Sequence, residues 1–219
     1  MLTQQEIINQ TAEHVKHLLT GEGSGHDWWH ILRVWNNAKT IAANEKADQY
    51  IVELAALLHD IGDHKFHNGD ETVGPRMAAE WLSGLQVQQE VITHITTIIK
   101  ELSFKGAGTT SEMSSLEGCI VQDADRLDAI GAIGIARTFA YGGHKNREMY
   151  NPEIAPVLHD SFEAYKNSTA PTINHFYEKL LLLKDRMHTN TAKTMATQRH
   201  QFMETYLQQF FAEWEVATC

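Results

Sequence analysis

A histidine and an aspartate stand side by side at His59 and Asp60, directly after the apolar run Ile51, Leu54, Ala55, Leu57 and Leu58. An imidazole nitrogen and a carboxylate oxygen together suit borderline and harder divalent cations such as zinc, manganese, iron or magnesium. The run before them has helical spacing and reads as a buried face, and Gly62 reads as the stop signal of that helix. Successive residues on a helix point about 100° apart, so His59 and Asp60 cannot both enter one apolar face. At a helix end, however, both can turn toward a single ion. A lone His-Asp pair is more often a cap or a surface pair, so this chemistry has to be supported from elsewhere in the chain.

Two further segments carry the same residue types. His26-Asp27-Trp28-Trp29-His30 opens a strongly patterned helix, and Val121-Gln122-Asp123-Ala124-Asp125-Arg126-Leu127-Asp128 places acids along another. Taken in order, "HDWWHILRVW", "LLHDIGD" and "VQDADRLDAIGAIGIARTFAYGG" resemble the HD-domain metal-dependent phosphohydrolases, closely over roughly residues 20–145. The tail, "HFYEKLLLLKDRMHTNTAKTMATQRHQF", is similar to the C-terminal helices of a bacterial branch of that family.

The resemblance implies an all-α fold, a single-domain HD-type helical bundle over residues 1–219, with a metal-binding core near 20–145 and C-terminal helices near 155–215. It implies His30, His59, Asp60 and Asp125 as ligands of one divalent metal (Mn, Mg, Co, Ni, Zn or Fe), with one side left open for chemistry. Asp123 and Asp128 are competing acids on the last helix. A metal so held acidifies water and withdraws charge from a phosphoryl oxygen. The implied activity is hydrolysis of a phosphoester or phosphoanhydride bond in a small phosphorylated metabolite, with a nucleotide as the favoured substrate.

In-line attack on phosphorus also needs a leaving-group acid and cations around the phosphates. His26 lies four residues before His30, the offset at which the similar cyclic-nucleotide phosphodiesterases carry the histidine that protonates the leaving oxygen. His26 is therefore the candidate acid, or else a helix-start residue supporting His30. Asp63 is the candidate for orienting the attacking water or accepting its proton, with a loop cap as the alternative. Lys65, Lys105 and Arg126 are candidate phosphate contacts. Arg126 has a structural ion pair with Asp123 or Asp128 as its alternative reading. His94, on the Val91/Ile95/Ile98 side of its helix, is a candidate for phosphate or a second metal, or a hydrogen-bonded core histidine. His144, Lys145 and Arg147 sit in a glycine-rich stretch that could close over a ligand or simply remain solvated.

Departures from relatives narrow the class. The Gly-Tyr-Pro signature of the HD-type cyclic-di-nucleotide phosphodiesterases is absent, and Asp63 stands where they carry lysine. The Glu-Asp doublet of the stringent-response hydrolases has no match in "IGDHKFHNGDE". Two alternatives stay open: a nucleotide-sensing HD domain without turnover, and an HD-type di-iron oxygenase drawing extra imidazoles from His64, His67 and His94.

Composition sets the outer bounds. A chain of 219 residues can bury a substantial core, and 42% hydrophobic with 21% charged residues is ordinary for a globular domain. A net charge of -10 argues against binding nucleic-acid polymers or anionic membranes, though not against a nucleotide held by local cations. Two cysteines, Cys119 and Cys219, offer no disulfide framework, and no apolar run reaches spanning length, so a cytoplasmic location is expected. Oligomeric state is left open.

Four prolines and no strand-like alternation leave helices as the main element. The first helix is expected from Thr3, with Glu6 completing a capping box. A second is expected from Asp27 with its tryptophans in the core, and a third from Asp48 to the His-Asp pair. Others are expected near 75–84, 87–100, 114–141 (with a dip at Gly131 and Gly134), 155–167, 171–184 and 190–215. "YGGHKNREMYNPEIAP" reads as the least structured stretch.

Overall fold

The computed structural model describes residues 2–20, 27–62, 70–102, 113–158 and 170–214. Among them there are helices and no strands, in two compact units, Met1–Asp125 and Arg126–Cys219.

In the first unit, α1 (Gln4–Leu18) starts at Thr3, whose hydroxyl accepts from the Glu6 N–H while the Glu6 carboxylate accepts from the Thr3 N–H. This is the capping box that the sequence predicts. The next helix, α2 (Trp28–Glu45), is capped by Asp27, and α3 (Gln49–Leu58) by Asp48, whose carboxylate accepts from Tyr50 and Ile51. Each cap satisfies backbone donors that a helix start leaves without an intrahelical partner.

The helix α3 contacts α1, α2 and α5 (Gln89–Leu102), while α4 (Val73–Gly84) lies on α5. Val52, Leu54, Ala55, Ala56, Leu57 and Leu58 of α3 are all fully buried. The last half of α3, Leu54 to Leu58, is apolar on every side and lies in the core, and each large side chain so buried contributes about 1.5–3 kcal/mol relative to exposure. The rigid centre of this unit therefore ends at the His-Asp pair. The helix stops at Leu58, before Gly62, with His59 as its C-cap.

The unit boundary falls within α6 (Leu116–Asp128). The second unit continues with α7 (Gly131–His144), α8 (Asn174–Glu178), a 3-10 turn (Leu180–Arg186) and α9 (Asn190–Trp214). Several sequence expectations are corrected here. The run near 114–141 is two helices, because Ile130 is extended and Gly131 takes φ +75° with the Arg199 side chain against it. Only glycine adopts that backbone angle without strain. The stretch 171–184 is a short α-helix followed by a 3-10 turn. Residues 155–158 are irregular, and the rest of 155–167 lies outside the described residues. Tyr141 to His144, read as loop, end α7. Of the α2 tryptophans, Trp29 is 62% exposed, while the Trp35 indole N–H donates to Glu53.

No described helix is long and apolar enough to cross a membrane.

Candidate metal centre

The chain brings His30, His59 and Asp60 together: one ligating atom of each lies within 4.8 Å of the others. His30 is the third residue of α2. Its backbone N–H donates to the Asp27 carboxylate at 2.9 Å, so the cap that starts the helix also fixes the backbone of the histidine. The His30 side chain is 1% exposed, and its Nε2 lies 3.4 Å from Asp60 Oδ2.

His59 enters from the end of α3, its ring edge-on to that of His30 with centroids 5.4 Å apart. Its Nδ1 lies 2.8 Å from the Ala56 carbonyl oxygen. A carbonyl can only accept, so Nδ1 carries the proton and a neutral His59 has its lone pair on Nε2. That Nε2 is buried, makes no hydrogen bond, and lies 3.5 Å from Asp60 Oδ2. A histidine held through Nδ1–H by a backbone carbonyl, with the other nitrogen presented into a site, is the arrangement by which proteins orient imidazole toward a metal.

Asp125 is the outlying member. From α6 its Oδ1 lies 3.5 Å from His30 Nε2. Exposure rises across the group: side chains are 1% exposed at His30, 4% at His59, 19% at Asp60 and 47% at Asp125. The imidazoles form a dry floor and the carboxylates face outward. Separations of 3.4–3.5 Å are those of donors each about 2.1 Å from one cation. The donor set of imidazoles and carboxylates suits zinc, manganese, iron and related divalent ions. His30, His59 and Asp60 therefore fit a divalent metal, on the chemistry of the donors and on the His59 nitrogen that lacks a hydrogen bond, with Asp125 beside them on the His30 side.

The rival acids of α6 are placed differently. Asp123 is fully buried, and Asp128 pairs with Arg137. Arg126 turns its guanidinium to the Arg186 carbonyl and lies 3.1 Å from His188 Nε2. His94 is not brought to the cluster. Its Nε2 lies 3.7 Å from Glu117, and Glu117 precedes Asp125 by about 12 Å of helix. Glu117 also accepts from the Asp48 N–H at the start of α3, the end remote from His59. His26, Asp63, Lys65 and Lys105 lie outside the described residues, as do His64 and His67. Two supports went unread in the sequence: the Ala56 carbonyl, which no side-chain pattern marks, and the bond from Asp27 to His30, foreshadowed by a capping aspartate three residues earlier.

The HD-domain family profile matches residues 28–130, a span that includes all four proposed ligands. The chain is 42% identical over 203 residues to the uncharacterized protein YpgQ of Bacillus subtilis, covering 91% of this chain and 90% of the relative. Among solved structures it is similar to an HD-superfamily hydrolase from Bacillus thuringiensis (46% identity, TM-score 0.79, covering 98% of this chain and 100% of that one). It is also similar to Bacillus subtilis YpgQ in complex with ADP (35% identity, TM-score 0.77, covering 97% of each). Matched in sequence and fold over almost the whole length of these relatives, the chain belongs to the HD-domain superfamily.

Proposed function

We propose that this protein is a metal-dependent phosphohydrolase that breaks a phosphoester or phosphoanhydride bond of a small phosphorylated metabolite, with a nucleotide as the preferred class. The observation that carries this reading is the buried Nε2 of His59, its lone pair set by the Ala56 carbonyl and directed beside Asp60. A buried acceptor next to a carboxylate is costly when dry and favourable when both ligate a cation. A divalent ion held there would neutralise phosphoryl charge and lower the pKa of water.

The chain's own residues supply the rest. Asp60 and Asp125 balance a doubly charged cation, so the site itself does not repel an anionic substrate. Over the whole chain the charge is -10, so phosphates need local cations. Lys65 and Lys105 are assigned that role. Arg126 and His94 would have to leave Arg186, His188 and Glu117 to share it, which favours the lysines. His26 is assigned proton donation to the leaving oxygen, and Asp63 orientation of the attacking water. That the similar YpgQ was crystallised with ADP supports the nucleotide class.

The test is a panel of nucleotides and sugar phosphates, each with manganese, magnesium, cobalt, nickel, zinc or iron, with phosphate and pyrophosphate measured. Metal-dependent release, abolished by chelator and restored by metal, is the expected result. Tight nucleotide binding without turnover in any of these metals would overturn the reading in favour of a nucleotide-sensing domain. An iron charge-transfer band after aerobic reconstitution would favour oxygenase chemistry instead.

A further inference from the structure

The turn carrying His59 and Asp60 continues through Ile61 to Gly62, and Gly62 meets the first turn of α4 backbone to backbone. A Cβ placed on Gly62 would lie 2.9 Å from the Gly74 nitrogen, 3.0 Å from Gly74 Cα and 3.1 Å from Val73 Cγ1. Real Cβ atoms do not approach backbone so closely, so a side chain there would push the turn and the helix apart. The contact is lopsided. A Cβ on Gly74 would meet the Gly62 carbonyl oxygen at 3.4 Å and Ile99 Cγ2 at 3.5 Å, both ordinary packing distances.

The start of α4 is itself held. Asp70 accepts from the Thr72 N–H at 2.9 Å and from its hydroxyl at 2.6 Å, Val73 and Gly74 are buried, and α4 packs on α5. Since α4 cannot yield easily, the segment that would move is the short tether, Ile61, between Gly62 and Asp60.

We propose that Gly62 is a positioning residue for the metal centre: without a side chain, it lets α4 lie against the ligand-bearing turn and hold Asp60 Oδ2 within reach of both histidines. This rests on the metal-centre reading above. An alanine at 62 shifts Asp60 by tenths of an ångström to an ångström, enough to spoil ligation by a carboxylate whose donors lie 3.4–3.5 Å apart. The apolar core of α3 is untouched.

The experiment is manganese titration of the metal-free full chain by calorimetry, with thermal midpoints in chelator measured alongside. Gly62→Ala is expected to weaken manganese binding at least tenfold while the helical circular dichroism signal at 25 °C is retained. Gly74→Ala should stay within threefold of wild type. Gly74→Val presses branched carbons toward the same turn from the α4 side, and it should lose at least tenfold. That variant decides the matter if Gly62→Ala does not fold. Equal affinity in Gly62→Ala and wild type, or equal losses in Gly74→Ala and Gly74→Val, would overturn the inference while leaving the metal centre standing. Absence of manganese binding by wild type would overturn the metal centre itself.

Discussion

The two units solve the problem of fixing polar groups in different ways. In the first, the core is aliphatic, helix starts are capped by Thr3, Asp27 and Asp48, and the polar cluster sits where α2 begins and α3 ends. In the second, the core is also largely aliphatic around the fully buried Phe176, and a ladder of rings, Phe139, Phe176, Tyr206, Phe210 and Trp214, with centroids 5.9–6.2 Å apart, runs from it to the exposed Trp214. Its buried charge is a structural pair, Asp128 with Arg137, and Arg199 donates to the Leu127 carbonyl. At its cluster the first unit presents polar atoms to a ligand, whereas the second closes Asp128 on Arg137. Removing a carboxylate of the cluster should therefore cost function, and removing Asp128 should cost folding.

The largest effect that would break this contrast is at Asp60. Asp60→Ala should abolish metal loading and reduce activity at least 1,000-fold, yet change the thermal midpoint of the metal-free protein little, because it removes a ligand and not a core contact. Activity assays, metal analysis and differential scanning calorimetry check this together. Normal metal loading in that variant would refute the ligand assignment.

Asp128→Ala should do the opposite. It removes the buried carboxylate that pairs with the half-buried Arg137 and should cost about 2 kcal/mol. The loss should be read by denaturant unfolding and localised to the second unit by hydrogen exchange, with manganese affinity near wild type.

A pH effect sharpens the same contrast. Burial, reinforced by the charges of Lys179 and Arg147, lowers the pKa of His175 from 6.5 to about 3. The unfolded chain takes up a proton at this residue below about pH 6.5, whereas the folded chain does so only near pH 3. The second unit's stability is thus complete above pH 6.5 and falls as the pH drops toward 3. His175→Gln should flatten that slope by up to ~1.4 kcal/mol per pH unit, measured by urea unfolding between pH 7 and 4.

The smallest effect expected is at the α2 cap. Asp27→Ala should cost about 1 kcal/mol of stability and loosen metal binding by a few-fold, because the His30 backbone loses its anchor. Asp27→Asn keeps an accepting oxygen and should restore most of both.

The same contrast explains what the sequence discloses. Caps act over three residues and apolar periodicity over ten to fifteen, so α1, α2 and α3 and their capping residues are readable locally. Three of the four proposed ligands sit at such helix termini or just beyond. The break at Gly131 is different: it depends on Arg199 arriving from far along the chain, and Gly142 likewise leaves room for Thr172. Trp29 has the composition of a core residue yet lies on the outer side of α2, which two adjacent tryptophans do not disclose. The pairings of His94 with Glu117 and of Arg126 with Arg186 and His188 are long-range contacts between residues whose own neighbourhoods give no sign of them.

The most direct test is a crystal of the wild-type chain soaked in manganese, with anomalous diffraction collected at the manganese edge. A peak about 2.0–2.3 Å from His30 Nε2, His59 Nε2 and carboxylate oxygens of Asp60 and Asp125 is predicted. A peak bound elsewhere, or these four side chains ordered with no anomalous density between them at saturating manganese, would contradict it.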